Sequence, residues 1–109
     1  MAGEPGPLGT PLRVGQIVSC RPNEGATTPA YVLEVDLGPL GILTSSARLT
    51  QRYRAEDLVG LKVVAATGLG SRLIAGVCSE VLVLGVEGRD GDVVLITPDA
   101  DVPNGGLVH

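Results

Sequence analysis

An unbroken apolar run, Val81, Leu82, Val83 and Leu84, closes the stretch from 74 to 85 and limits how this chain can fold. Successive side chains of a strand point to opposite faces, so both faces of a strand here need apolar surroundings. A chain of 109 residues forms one modest core, which can receive only one of those faces. A second copy of the chain would cover the other face, and we therefore predict a homodimer whose interface includes these four residues. Alternation does not decide which pair points outward.

The remaining pattern predicts short strands joined by tight turns. The chain has 16 Gly and 8 Pro but no Phe or Trp, so its core must be aliphatic. Tyr31 to Leu37 alternates as a half-buried strand, and Gly15 suggests a bulge or a barrel corner in the strand before it. Residues 46–60 predict a brief helix that ends near Gly60. We expect a disordered lead-in over 1–11 and, over 12–109, an all-β, five-stranded Greek-key barrel of the OB type with one short helix.

Charge is unevenly distributed along the chain. The net charge is −4, yet five of the eight basic residues lie between 44 and 72. Arg48, Arg52, Arg54 and Arg72 form the only basic constellation, which is either a shallow face for an anionic ligand or a solvated surface. The charge of the whole molecule opposes polyanion binding.

No catalytic or metal-binding set assembles from the sequence. The only His is the last residue, so a nucleophile such as Ser45 would lack a base. Cys20 and Cys78 make neither a disulfide framework nor a zinc site, and we expect both to be reduced and buried. We expect no cofactor, no metal and no small-molecule substrate. The chain shows no signal peptide or membrane-spanning run, which predicts a cytoplasmic protein without membrane insertion.

Glu80 stands at the start of the apolar run, beside the hydroxyl of Ser79. A carboxylate there must be paired or hydrogen-bonded. It is either a structural cap of a barrel strand or a binding-site carboxylate near a dimer groove.

Several motifs recur in one known family. They are Arg13-Val14-Gly15, Tyr31, Leu33-Glu34-Val35-Asp36, Gly38, Ser45-Ser46-Ala47, Tyr53, Glu56-Asp57-Leu58-Val59-Gly60, Gly76, Ser79 to Gly85, Pro98-Asp99 and Val102-Pro103. With these motifs the chain resembles the tRNA-binding-domain family from about Leu12 to His109. The acidic residue at position 80 makes it most similar to the CsaA-type secretion chaperones within that family.

The resemblance implies an OB barrel, a homodimer and no enzymatic activity. It also implies one of two functions: holding unfolded preproteins for the secretion machinery, or binding structured RNA such as tRNA. Thr27 and Thr28 stand where the family tends to have basic residues, Arg48 replaces a common Gln, and Arg72 is retained. The candidate RNA- or peptide-binding residues are Tyr31, Ser45, Ser46, Arg48, Arg52, Arg54, Arg72, Ser79 and Glu80.

Overall fold

A computed structural model describes residues 11–109. Apart from Pro11, the predicted lead-in lies outside the described residues. The strands are β1 (Leu12–Pro22), β2 (Tyr31–Asp36), β3 (Ile42–Ala47), β4 (Lys62–Ala66), β5 (Arg72–Ile74), β6 (Val77–Ser79), β7 (Leu82–Val83), β8 (Gly85–Glu87) and β9 (Val93–Leu95). A 3-10 turn, Gly38–Leu40, joins β2 to β3, and the single short helix α1 is Ala55–Leu58.

Five of the strands form one sheet in the order β3-β2-β1-β4-β7, and each neighbouring pair is antiparallel. Four antiparallel steps leave β3 and β7 parallel, and these two edges approach each other at a seam that closes the sheet. β5 pairs with β6, and β8 with β9, as two separate hairpins. The architecture is the predicted all-β, five-stranded OB barrel with one short helix.

The core is mostly aliphatic, as the composition predicts, but it also includes Tyr31. Ile17, Leu33, Val35, Leu58 and Val63 are completely buried inside the barrel. They come from β1, β2, α1 and β4, so the short helix contributes Leu58 to the same core as the strands. Tyr31 is the one aromatic residue of the described core cluster, and Tyr53 packs against that cluster.

β1 is long because its two halves have different partners. Its first half pairs with β4, and its second half pairs with β2. The C-terminal segment adds to the free edge of the first half, where the Gly105 N–H donates to the Val14 carbonyl (2.6 Å) and the Val14 N–H to the Gly106 carbonyl (2.9 Å). The sequence also predicts a last short strand at Leu107-Val108, and in the structure this segment makes one bridge, between Arg13 and Leu107.

The bulge in β1 does not lie at Gly15. The register shifts between Ile17 and Ser19, whereas Gly15 pairs regularly with Val63. A Cβ at position 15 would lie 2.5 Å from Cγ1 of Val35. Glycine is needed there for close strand packing, and the expectation of a bulge at Gly15 was wrong.

The stretch from 74 to 85 is not one continuous strand. A turn at Ala75-Gly76, with φ of 49° and 82°, reverses the chain between β5 and β6. After β6 the chain passes through Glu80 into β7, which pairs Val83 with Ala65 and Leu82 with Ala66. Val81 and Val83 point into the core, whereas Leu82 is 51% exposed. This settles which pair faces inward in the single chain: Val81 and Val83 are buried in the core, so neither is exposed for the predicted dimer interface.

Candidate functional site

The seam between β3 and the segment after β6 positions the candidate residues. The Glu80 N–H donates to the Thr44 carbonyl (2.7 Å), and the Thr44 N–H donates to Oε1 of Glu80 (3.1 Å). The carboxylate of Glu80 thus takes the place of a backbone acceptor where the two strands meet. Glu80 is held in the structural role of a strand cap, and it also lines the groove described next.

A groove of about 220 Å³ opens beside the seam, and we call it the apolar groove. Its apolar walls are Leu69, Ile74, Val81 and Leu82. Three of these side chains, Leu69, Ile74 and Leu82, are between 44% and 51% exposed. Polar groups on the walls come from Ser46, Arg72, Ser79 and Glu80. The groove therefore offers an apolar surface with one positive and one negative group at its side.

A second groove of about 370 Å³ lies next to the first, and we call it the hydroxyl groove. Thr27 and Thr28 of the β1–β2 loop, Ser46 of β3, and Arg48 supply its polar groups. Ser46 and Ile74 line both grooves, so the two are adjacent. Arg48 is an exposed residue at its wall.

The β5–β6 hairpin borders every cavity described here. Arg72 and Ile74 line the apolar groove, and Ile74 and Ala75 line the hydroxyl groove. Gly76 and Val77 line a third, wider cleft of about 500 Å³ beside the β1–β2 loop. The hairpin is the element that shapes this face of the barrel.

Two of the predicted site residues lie inside the barrel. Ser45 is 0% exposed, and its hydroxyl has no hydrogen-bond partner among the described residues. Tyr31 is 9% exposed, and its hydroxyl donates to the Tyr53 carbonyl (2.9 Å). Neither side chain reaches a groove, because alternation along β2 and β3 turns both toward the core.

The four arginines do not form one surface. Arg48 and Arg72 line the two grooves. Arg52 makes an ion pair with Asp92 (3.2 Å), and this hydrogen bond raises the pKa of its guanidinium. Arg54 approaches the exposed Glu56 at 3.9 Å. The structure therefore brings together Ser46, Arg48, Arg72, Ser79 and Glu80 but leaves Arg52 and Arg54 outside the grooves.

The two thiols differ in their surroundings. Cys20 is half-buried, and burial raises the pKa of its thiol to about 11, which keeps it protonated at neutral pH. Cys78 is exposed on β6, so the expectation that both thiols are buried was wrong for Cys78. Over the described residues no cluster of His, Cys, Asp and Glu could hold a metal ion.

Leu69 and Ile74 were not among the residues selected from the sequence. Nothing in the sequence distinguishes an exposed wall residue from a core residue at these positions, since both residues are aliphatic. The role of Ile74 depends on the β5–β6 hairpin, which brings it to the groove that Val81 and Leu82 also line.

Comparison with known proteins identifies the family to which this chain belongs. The family model described as a putative tRNA binding domain matches residues 12–106. The chain belongs to the tRNA-binding-domain family. The crystal structure of the chaperone CsaA from Bacillus anthracis str. Ames is 42% identical, with a TM-score of 0.87 over 94% of this chain and 93% of that one. The CsaA chaperone protein from Picrophilus torridus is 36% identical, with a TM-score of 0.86 over 92% of each chain.

A second kind of tRNA-binding-domain relative is much longer. A methionine–tRNA ligase from Leptospira biflexa is 40% identical over 97 residues, which cover 89% of this chain. The chain spans only 14% of the length of that relative. No helix among residues 11–109 has the length and apolar character that crossing a bilayer requires.

Proposed function

We propose that this protein is a non-enzymatic, CsaA-like chaperone or export factor that holds unfolded preprotein segments in the apolar groove. The observation that carries the proposal is the exposure of Leu69, Ile74 and Leu82 together on the walls of one groove. Folded proteins rarely leave several large apolar side chains exposed side by side without a partner. Unfolded segments offer the apolar side chains that such a groove can bury.

The likeness to two CsaA chaperones over nearly the full length of each chain supports this function. The function requires no catalytic residue, metal or cofactor. It also fits a cytoplasmic location, where preproteins are found before export.

A second candidate function is the binding of tRNA, and the family match and the methionine–tRNA ligase relative favour it. Affinity for a polyanion depends on the number of phosphates that basic groups neutralise. Arg48 and Arg72 are the basic residues that line the two grooves. Arg52 lies outside them and is already paired with Asp92. With a net charge of −4, we expect weak tRNA binding that falls steeply with added salt.

We also propose that the protein acts as a homodimer. The supporting feature is the outward-facing side of β7 and of the residue that follows it. On this side Leu82 is exposed and Leu84 is half-buried. The exposed Ile96 lies beside Leu84, since the Ile96 N–H donates to the Leu84 carbonyl (3.2 Å). A second protomer would bury this surface, and Leu82, which also lines the apolar groove, would then lie where the dimer contact meets the edge of that groove.

Binding titrations at physiological salt test the function, with an unfolded preprotein and with tRNA as ligands. A double variant, Leu69→Ser with Ile74→Ser, should weaken preprotein binding by roughly tenfold, because two apolar contacts are lost. Leu40→Ser is a matched control, since Leu40 is 43% exposed on the 3-10 turn and lines neither groove. It should bind like the wild type.

Two results would contradict the proposed function. Unchanged preprotein binding by the double variant would contradict the apolar groove as the binding surface. Sub-micromolar tRNA affinity that persists at high salt would make tRNA binding, rather than preprotein holding, the main function.

A further inference from the structure

The hydroxyl groove adds a chemical preference that the apolar groove lacks. In the apolar groove Arg72 and Glu80 carry opposite charges, so their net contribution to ligand charge selection is small. In the hydroxyl groove Arg48 is the only charged side chain among the described lining residues. The two adjacent grooves therefore present an apolar end and a positively charged end.

The polar groups of the hydroxyl groove suit a carboxylate. Thr27, Thr28 and Ser46 each bring a hydroxyl that can donate a hydrogen bond. Arg48 brings a planar guanidinium, which pairs with a carboxylate through two parallel hydrogen bonds. An exposed arginine at a concave wall can make this pair without the cost of burying a charge in advance.

The adjacency of the two grooves suits an extended peptide. Ser46 and Ile74 line both grooves, so a ligand that extends past these two residues would meet both. In an extended chain, side chains two residues apart lie on the same face, separated by about 7 Å. Two residues is the shortest spacing that keeps both side chains on the face turned to the grooves, and we adopt it for an apolar side chain in the first groove and a second side chain near Arg48.

We propose that the two grooves form one peptide site that selects an apolar residue followed two positions later by a carboxylate near Arg48. This inference rests on the proposed peptide-holding function and gives that site a substrate class. The carboxylate can belong to an Asp or Glu side chain, or to the C-terminus of the bound segment.

The absence of aromatic side chains favours a peptide over RNA at this site. Single-stranded nucleic acid is usually held by stacking bases on aromatic rings. Tyr31 is buried with its hydroxyl bound to the Tyr53 carbonyl, and the Tyr53 hydroxyl accepts from the Leu95 N–H (3.0 Å). Neither Tyr is among the described residues that line the two grooves.

Fluorescence anisotropy with labelled synthetic peptides tests the inference. The parent peptide carries Leu at one position and Glu two residues later, and its matched versions carry Gln or Lys in place of Glu. A further pair carries Gln at that position and ends there, either as the free acid or as the amide. Wild-type protein should bind the Glu peptide about fivefold to tenfold more tightly than the Gln peptide, with Lys weakest. If the free acid of this pair binds more tightly than the amide by the same factor, a C-terminal carboxylate can also pair with Arg48.

Variants at position 48 test whether Arg48 causes the preference for the Glu peptide. R48Q should bind the Glu and Gln peptides equally, and R48E should prefer the Lys peptide. R89Q is the matched control, because Arg89 is exposed in the β8–β9 turn and lines neither groove. It should keep the wild-type preference. Circular dichroism should show that all three variants are folded, since both arginines are exposed.

The outcomes separate this inference from the proposed function. Equal binding of the Glu and Gln peptides by wild-type protein, with binding lost when Leu is replaced by Ser, would overturn the carboxylate preference and keep the apolar site. No binding of any peptide would overturn both. If R48Q weakens tRNA binding but leaves the Glu preference unchanged, Arg48 belongs to an RNA surface and the inference fails.

Discussion

Ser45 is a polar residue that is buried without a hydrogen bond for its hydroxyl within the described part of the chain. It lies on β3 opposite Leu33, both are completely buried, and the Ser45 hydroxyl has no partner among the described residues. A buried hydroxyl without a hydrogen bond keeps its full desolvation cost. Ser45 therefore opposes the stability of the barrel rather than contributing to it.

Replacing Ser45 by Ala should stabilise the fold by about 1 kcal/mol, because it removes the unpaired hydroxyl and almost no volume. The free energy of unfolding in urea measures this. Ser79→Ala is the contrast, since the Ser79 hydroxyl accepts from the Ser46 N–H (3.4 Å) and donates to the Val81 carbonyl (3.3 Å). It should destabilise the fold by a similar amount. A Ser45→Ala variant less stable than wild type would indicate a partner for that hydroxyl.

Single residues also mark the limit of what the sequence could predict. Tyr31 to Leu37 alternates cleanly, so its inward face was readable and it forms β2 with Leu33 and Val35 in the core. The run Val81–Leu84 has no polar residue to label a face. Only the pairing of Val83 with Ala65 decides that Val83 points inward. Ser45 and Ser46 differ in the same way, and one lies in the core while the other lines both grooves.

At the scale of elements, the β5–β6 hairpin was the part that sequence could not predict. Its turn, Ala75-Gly76, lacks the Asn-Gly or Asp-Gly pair that usually signals a two-residue turn. Ala75 nevertheless has a φ of 49°, which is costly for a residue with a Cβ. Because the sequence does not signal this turn, no reversal was predicted at 75–76, and the walls made by Leu69 and Ile74 were missed.

Ala75→Asn should stabilise the hairpin by roughly 0.5–1 kcal/mol, because Asn tolerates the left-handed conformation better than Ala. Hydrogen exchange should slow at the amides of β5 and β6, and the melting temperature should rise slightly. Ala75→Gly is the comparison, which relieves the same strain but loses more backbone entropy on folding, so its gain should be smaller. Unchanged exchange in both variants would contradict strain at this turn.

At the scale of the whole molecule, the two-sided burial predicted for the 81–84 run is found instead in β4. Val63 and Ala65 belong to the core cluster, and Val64 and Ala66 on the opposite face are also buried. β7 has only its inward face buried in the protomer, because Leu82 is 51% exposed and Leu84 is half-buried. The homodimer stays a prediction, and the exposed side of β7 is where it can be tested.

Two Asp substitutions on β7 test that homodimer. Val83→Asp should unfold the chain, because Val83 is 8% exposed and a charge there would be buried without a partner. Leu82→Asp should leave a folded protein, because its side chain points outward, but it should halve the mass measured by light scattering if that surface joins two protomers. Circular dichroism separates the two outcomes.

Val59→Asp is the matched control, since Val59 is 50% exposed beyond α1 and lies outside the 81–84 run. It should keep the wild-type mass, because the new charge is placed on a surface that the proposed interface does not use. Leu82 also lines the apolar groove, so Leu82→Asp should weaken preprotein binding as well. Wild-type protein that already runs as a folded monomer at micromolar concentration would rule out the dimer. A Leu82→Asp variant with the mass of two chains would move the interface away from β7, since an unpaired carboxylate cannot be buried there without a large cost.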